Sequence, residues 1–223
     1  MSKAKTNQAR IAYSKTQLEQ LAKADIALQA KAMGLRLDQA GTAAEVRFLG
    51  RNYLVDRNGV HPTDGKFVTV DTVSVLAHYL CSQGRGELSA DYLPIGRLTG
   101  IASGASSGGG PSDQLSKPLA DKFGSDYEAF KKAALASGLR HAGLSQAGAQ
   151  SFLLEDLPKV PVKVEFFEAD EEFESEIKFL FNASANRFVS YECLELLTMC
   201  VVVDMLLRAG LISDPEDCEA SFI

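Results

Sequence analysis

Tryptophan is absent from this chain, histidine occurs only three times and cysteine four times. Cys81, Cys193, Cys200 and Cys218 are scattered, with no Cys-x-x-Cys pair. That spacing excludes the usual zinc and iron–sulfur frameworks and leaves reduced, buried thiols as the expectation. His61, His78 and His141 stand in no nucleophile elbow, so Ser-His-Asp catalysis is excluded as well. No apolar run approaches the roughly 20 residues of a bilayer-spanning helix. The polar opening Met1–Gln8 is followed by no apolar signal core, so the expected location is the cytoplasm. A surplus of positive charge is also lacking: the net charge is −6, which argues against nucleic acid as the partner.

What the chain does have is enough apolar material for a core. Its 223 residues are 46% hydrophobic, and a domain of this size buries roughly 70% of the surface its unfolded chain exposes. The charge is unevenly spread, with residues 1–60 net basic and residues 150–223 net acidic. A basic start can dock on an acidic end in the same chain or in a neighbour, so a homo-oligomer is one expectation. The expected fold is a single α+β domain over residues 14–212, with a flexible tail at 1–13 and an acidic tail at 213–223. It is expected to consist of a mostly antiparallel sheet of short strands, packed by about five helices, with a buried C-terminal helix.

The clearest pattern spans Val160 to Phe181. Val160, Val162, Val164 and Phe166 alternate with Pro161, Lys163, Glu165 and Phe167, and Ile177, Phe179 and Phe181 repeat the alternation. Period two puts each set on one sheet face, so a hairpin is predicted, with Glu168–Glu176 as its connection. Pro161 has no N–H and belongs at a strand start or edge. Upstream, Ser14 and Gln17 make a capping-box pattern at the head of a helix closed by Gly34. Val46–Leu49, Tyr53–Val55 and Lys66–Val70 read as short strands of a meander, turned at Arg57-Asn-Gly59. Asp71 is expected to cap a helix that ends near Gly84, on which His78 and Cys81 share a face as a core pair. Asp91–Ile95 reads as a strand and so does Ser151–Glu155, with His141 in a polar connection between helices and sheet. A capping box at Ser125 opens one more helix. Ser190 opens the last, which is apolar nearly all round and therefore predicted to be central.

Two stretches carry candidate chemistry. Gly96–Pro111 is the most permissive backbone in the chain and leads into a helix, so its N–H groups can cradle an anion. It lacks the Gly-Lys-Ser/Thr of a P-loop and stands in no βαβ frame. Gly108 and Gly109, with the forked donors of Arg51 and Arg97, are the candidate contacts for an anionic ligand. The second stretch is the acidic connection, where Asp170, Glu171 and Glu172 are candidate ligand-binding residues. It lacks the spacing of an EF-hand loop, Phe173 is expected to pack it back on the body, and a solvated face is the plainer reading. No protein metal site and no specific cofactor is assigned. Three functions remain open. The first is an accessory protein binding a cofactor or an anionic small molecule, and the second is a divalent-metal hydrolase or transferase using the 170–172 carboxylates. The third is a structural subunit or protein-interaction module.

Several stretches together resemble one family. Phe48-Leu-Gly-Arg-Asn-Tyr-Leu-Val-Asp56, Ala77-His-Tyr-Leu80, Lys117-Pro-Leu-Ala-Asp-Lys-Phe-Gly124 and Leu157-Pro-Lys-Val-Pro161 do so, and most specifically Asp170-Glu-Glu-Phe173 with Lys178-Phe-Leu-Phe-Asn-Ala-Ser-Ala185. They resemble the uncharacterised family known as domain of unknown function 3786, over about Val46 to Leu211. The resemblance implies an anaerobic setting, near corrinoid and one-carbon enzymes or fused to an iron–sulfur domain, and it implies no particular reaction. This chain has no cysteine-rich segment of its own. It carries Phe166-Phe167 where relatives tend to show a tryptophan, so a tryptophan contact does not carry over.

Overall fold

The computed structural model of the chain describes residues 3–98, 111–169 and 171–214, the side chains of 3–6 and 111–115 excepted. Gly108, Gly109 and Asp170 lie outside the described residues. The chain folds as the expected single α+β domain. The described residues form seven α-helices and nine strands, the strands in two antiparallel sheets.

The N-terminal segment departs from expectation. Helix α1 runs Lys3–Leu21, so most of the expected tail is helical, and Ser14 and Gln17 lie inside the helix and not at its cap. Both are buried, whereas Ile11 is 52% exposed. The docked face is thus polar, and no apolar stripe announces it in residues 3–17. A second helix, α2 (Ile26–Met33), starts where the Asp25 carboxylate accepts the Leu28 N–H, and Gly34 closes it at φ 75°.

The first sheet is a meander of β1 (Arg36–Leu37), β2 (Ala44–Phe48), β3 (Arg51–Asp56) and β4 (Gly59–Pro62), paired in that order. Residues 66–69, expected as a strand, form none: Arg51 donates to the carbonyls of Lys66 and Phe67, so this backbone is tied by a side chain and not by a ladder. It leads into α3 (Val70–Leu80), whose N-cap is Thr69 in place of the expected Asp71; the Thr69 hydroxyl accepts the Thr72 N–H. Asp71 sits in the first turn, where a carboxylate also suits the helix dipole.

The second sheet has the order β5 (Tyr92–Leu93), β9 (Glu176–Asn182), β8 (Val162–Phe167), β7 (Gln150–Leu154), β6 (Arg140–Leu144). The predicted hairpin is its centre, with Val162 opposite Phe181 and Phe166 opposite Ile177. Val162, Val164 and Phe166 are buried on one face. Pro161 precedes β8, and its carbonyl accepts the Asn182 N–H at 3.2 Å. His141 lies in a strand and not in a connection; β6 is an edge strand, largely exposed and bulged between His141 and Gly143, so it carries no apolar alternation.

The remaining helices are α4 (Ile95–Leu98), α5 (Pro111–Phe123), α6 (Tyr127–Ala136) and α7 (Tyr191–Arg208). Pro118 is accommodated within α5 without splitting it, and Asp126, one residue beyond the expected Ser125, caps α6. Phe130 of α6 joins this layer to the sheet, its ring centroid 4.8 Å from that of Phe166 and 5.5 Å from those of Phe123 and Phe152. Such aromatic pairs add about 0.5–1.5 kcal/mol each beyond area burial. α7, capped by Ser190 as expected, is buried on most sides and packs against α3, α5 and α6. It therefore stands between the two sheets' helical partners, and one continuous core runs through it.

Candidate functional site

The β2–β3 hairpin turns at Leu49 and Gly50, both left-handed, at φ 51° and 73°. Glycine meets no penalty there, but leucine does. Three groups hold the turn. The Asp156 carboxylate accepts the Leu49 N–H at 2.9 Å and the Gly50 N–H as well. The Arg208 guanidinium, at the end of α7, donates to the Leu49 carbonyl at 2.8 Å. Burial pushes the Asp156 pKa up, and the two backbone donors and Arg47 offset only part of that push. Replacing Asp156 with alanine strands two N–H groups at a strained turn. The expected loss is about 1–3 kcal/mol in urea unfolding, with an unchanged m-value.

This turn forms one wall of a cleft of about 430 Å³. Successive residues of β3 face opposite ways, so Arg51 and Tyr53 share the face that meets the helices. The N-terminus of α3 and the exposed Phe67 form a second wall, and Met199, Val203 and Leu207 of α7 a third. α1 contributes Arg10, which makes a two-pronged ion pair with the buried Asp71; its Nε–Oδ1 distance is 2.8 Å. Arg51 grips Asp64 in the same forked way, at 2.8 and 3.1 Å, and reaches the Phe67 carbonyl at 3.1 Å. The Arg51 bond, then the Lys66 N–H, hold the exposed Asp64 carboxyl down at a pKa of about 2. On α7, Asp204 pairs with Arg208 at 2.7 Å, one helical turn away. Cys200 lies 3.8 Å from the Thr72 hydroxyl, and burial foremost pushes its thiol pKa well up, so the sulfur is neutral and a poor nucleophile.

The cleft gathers only part of what the sequence marked. Arg51 lines it; Arg97, exposed on α4, does not, and neither do Glu171 and Glu172, which are exposed in the β8–β9 connection. Among the described residues, no group of three or more His, Cys, Asp or Glu is placed to hold a metal ion. Phe173, expected to pack back on the body, is 69% exposed. Sequence reasoning missed Arg10, Tyr53, Leu49 and Asp204. β3 starts at Arg51, two residues before the strand expected at Tyr53, and that extension is what puts the two side chains on one face. Asp204 and Arg208, spaced i, i+4, were the polar break in an otherwise apolar helix.

His78 departs from the expected pairing with Cys81. Its Nδ1 is 2.9 Å from the Tyr13 hydroxyl and 3.0 Å from Gln17 Oε1, and its Nε2 accepts the Ser190 N–H at 3.2 Å. One imidazole thus joins α1, α3 and the head of α7. Cys81 ends α3, and burial pushes its thiol to about 11.

Among the described residues, no helix is long and apolar enough to cross a membrane. Neither the curated proteins nor the solved structures contain a match. A family model does match, over residues 25–204, from α2 to the polar break in α7, and its description is Domain of unknown function (DUF3786). The segments that build most of the cleft, β3, the head of α3 and α7 as far as Asp204, fall within those residues, whereas α1 precedes them. The chain belongs to the family domain of unknown function 3786.

Proposed function

We propose that this chain is a binding or accessory protein that holds a cofactor or other anionic small molecule in the cleft between β3, α3 and α7. Its setting, on this reading, is the anaerobic one-carbon or corrinoid metabolism that the family resemblance implies. The supporting observation is the cleft itself. Its volume of about 430 Å³ lies in the range of small-molecule sites, roughly 300–1,000 Å³. An apolar wall meets two guanidinium groups and the N-terminal end of an eleven-residue helix there. No nucleophile–base pair lines it among the described residues, and the thiol that does is held neutral.

Arg51 is the group through which a ligand anion would enter. Its fork is engaged by Asp64, whose side chain is 37% exposed. An arriving carboxylate or phosphate therefore exchanges with a surface partner, and no buried pair has to break. Arg10 is different: Asp71 is buried, and separating that pair leaves a charge uncompensated.

The test is native mass spectrometry of protein purified without oxygen, beside thermal shift with corrins, tetrapyrroles and nucleotides. A bound mass, or a rise in Tm with one class, is expected. Val203→Trp, which fills the cleft from a partly exposed position on α7, is expected to abolish either signal while the far-ultraviolet dichroism stays native. A clean unliganded mass with no shift from any class would overturn the reading.

A further inference from the structure

One buried polar group in the cleft has no partner among the described residues. Tyr53 is only 3% exposed, and Arg51 Cζ lies 5.4 Å from its ring centroid. Its hydroxyl nevertheless makes no hydrogen bond among the described residues. It is also not sealed: among the described residues the fully enclosed side-chain oxygens without partners are those of Ser137 and Ser151, while Tyr53 lines the cleft. Buried tyrosines usually pair their hydroxyl, so one that lines a cavity with no partner among the described residues is suited to ligand recognition.

Its neighbours fix which acceptor. Arg51 spends four bonds on Asp64, Lys66 and Phe67, and a guanidinium has five N–H groups, so about one is left over. The tyrosine keeps its proton, since burial first, and then the carboxylates of Asp204 and Asp64, raise its pKa against the opposing pull of Arg51. The corner therefore offers two donors. Of the three carboxylates among the described residues lining the cleft, Asp71 is engaged by Arg10 and Asp204 by Arg208.

We propose that Tyr53 donates its O–H to an oxyanion oxygen of the ligand, with Arg51 beside it, and that the ligand's apolar body lies along Met199, Val203 and Leu207. The ligand class is thus a small oxyacid on an apolar frame. This deepens the reading above and rests on it.

Two fluorescent probes separate the possibilities. 1-Anilinonaphthalene-8-sulfonate carries an oxyanion on an aromatic frame, and N-phenyl-1-naphthylamine is nearly the same frame without it. Wild-type protein should bind the sulfonate more tightly than the neutral amine. Tyr53→Phe should weaken sulfonate binding roughly tenfold, about 1.4 kcal/mol, and leave the amine's affinity unchanged. Its Tm should stay level or rise slightly, because the hydroxyl has no partner to lose among the described residues. Equal affinity of the wild type for both probes overturns the proposal, and so does a Tyr53→Phe protein that binds the sulfonate normally or melts well below wild type. If neither probe binds, or if both bind the Val203→Trp protein unchanged, the cleft reading falls and this inference falls with it.

Discussion

Replacing Gly84 with alanine is expected to destabilise the protein by about 3 kcal/mol or more. Gly84 follows α3 and crosses the backbone just before α7. A methyl group there would fall on the Arg187 carbonyl oxygen and lie 2.7 Å from Phe188 Cα and 2.8 Å from the Arg187 carbonyl carbon. All three are main-chain atoms, so no side chain can rotate away. The whole crossing must open by more than an ångström, and overpacking of that kind costs about 1–3 kcal/mol even where side chains can adjust. At this chain length each kcal/mol moves Tm by roughly 2–4 °C, so a fall of about 6–12 °C is expected by calorimetry. Gly41→Ala is the control. Gly41 is left-handed, at φ 71°, with nothing within 4 Å of the added methyl. It should lose only about 1 kcal/mol, the price of the backbone conformation alone. Comparable losses in the two variants would show that the close crossing at Gly84 is not tight in solution.

Gly84 also marks how far the sequence could be read. A glycine after an apolar stripe reads as a helix stop, and α3 does end nearby, at Leu80. The need for glycine comes from a backbone more than a hundred positions away, which no local spacing records. The β8–β9 hairpin and α7 were legible for the opposite reason. Each buries one continuous apolar pattern, period two in Val162, Val164 and Phe166, and nearly all-round in α7. α1 was half legible, because it docks with Arg10, Tyr13, Ser14 and Gln17, side chains that usually face water. The site was the least legible part. Arg51 was marked by its chemistry, but the cleft is assembled from α1, β3, α3 and α7 by packing alone. The glycine stretch and the acidic connection attracted attention through composition, which locates unusual segments and not convergent ones.

Protonation of His78 is expected to loosen α1 from the body of the protein. The ring is largely buried, and that burial lowers its pKa below the ordinary histidine value; Glu192 pulls weakly the other way. The other groups around it are Tyr13, whose hydroxyl is pushed to about 12 mainly by burial, the neutral thiol of Cys193, and Gln17 and Ser190 as neutral partners. Because Nε2 accepts the Ser190 N–H, Nδ1 carries the proton and shares it between Tyr13 and Gln17. A second proton at Nε2 would face that N–H donor to donor and break the contact at the head of α7. The folded-state pKa is depressed, so the stabilisation is whole above the unfolded value near 6.5, where both states are neutral. It then declines as pH falls through the folded pKa, by at most about 1.4 kcal/mol per pH unit. His78→Ala removes three hydrogen-bonding contacts and strands their partners, so a loss of about 3 kcal/mol is expected at pH 7.5. The variant should also lack the part of the acid slope that the wild type shows below pH 6.5. Urea titrations at pH 7.5, 6.5 and 5.5 read both effects. If the variant keeps the full wild-type slope, the acid sensitivity belongs to another group, and the imidazole at the meeting of α1, α3 and α7 serves packing alone.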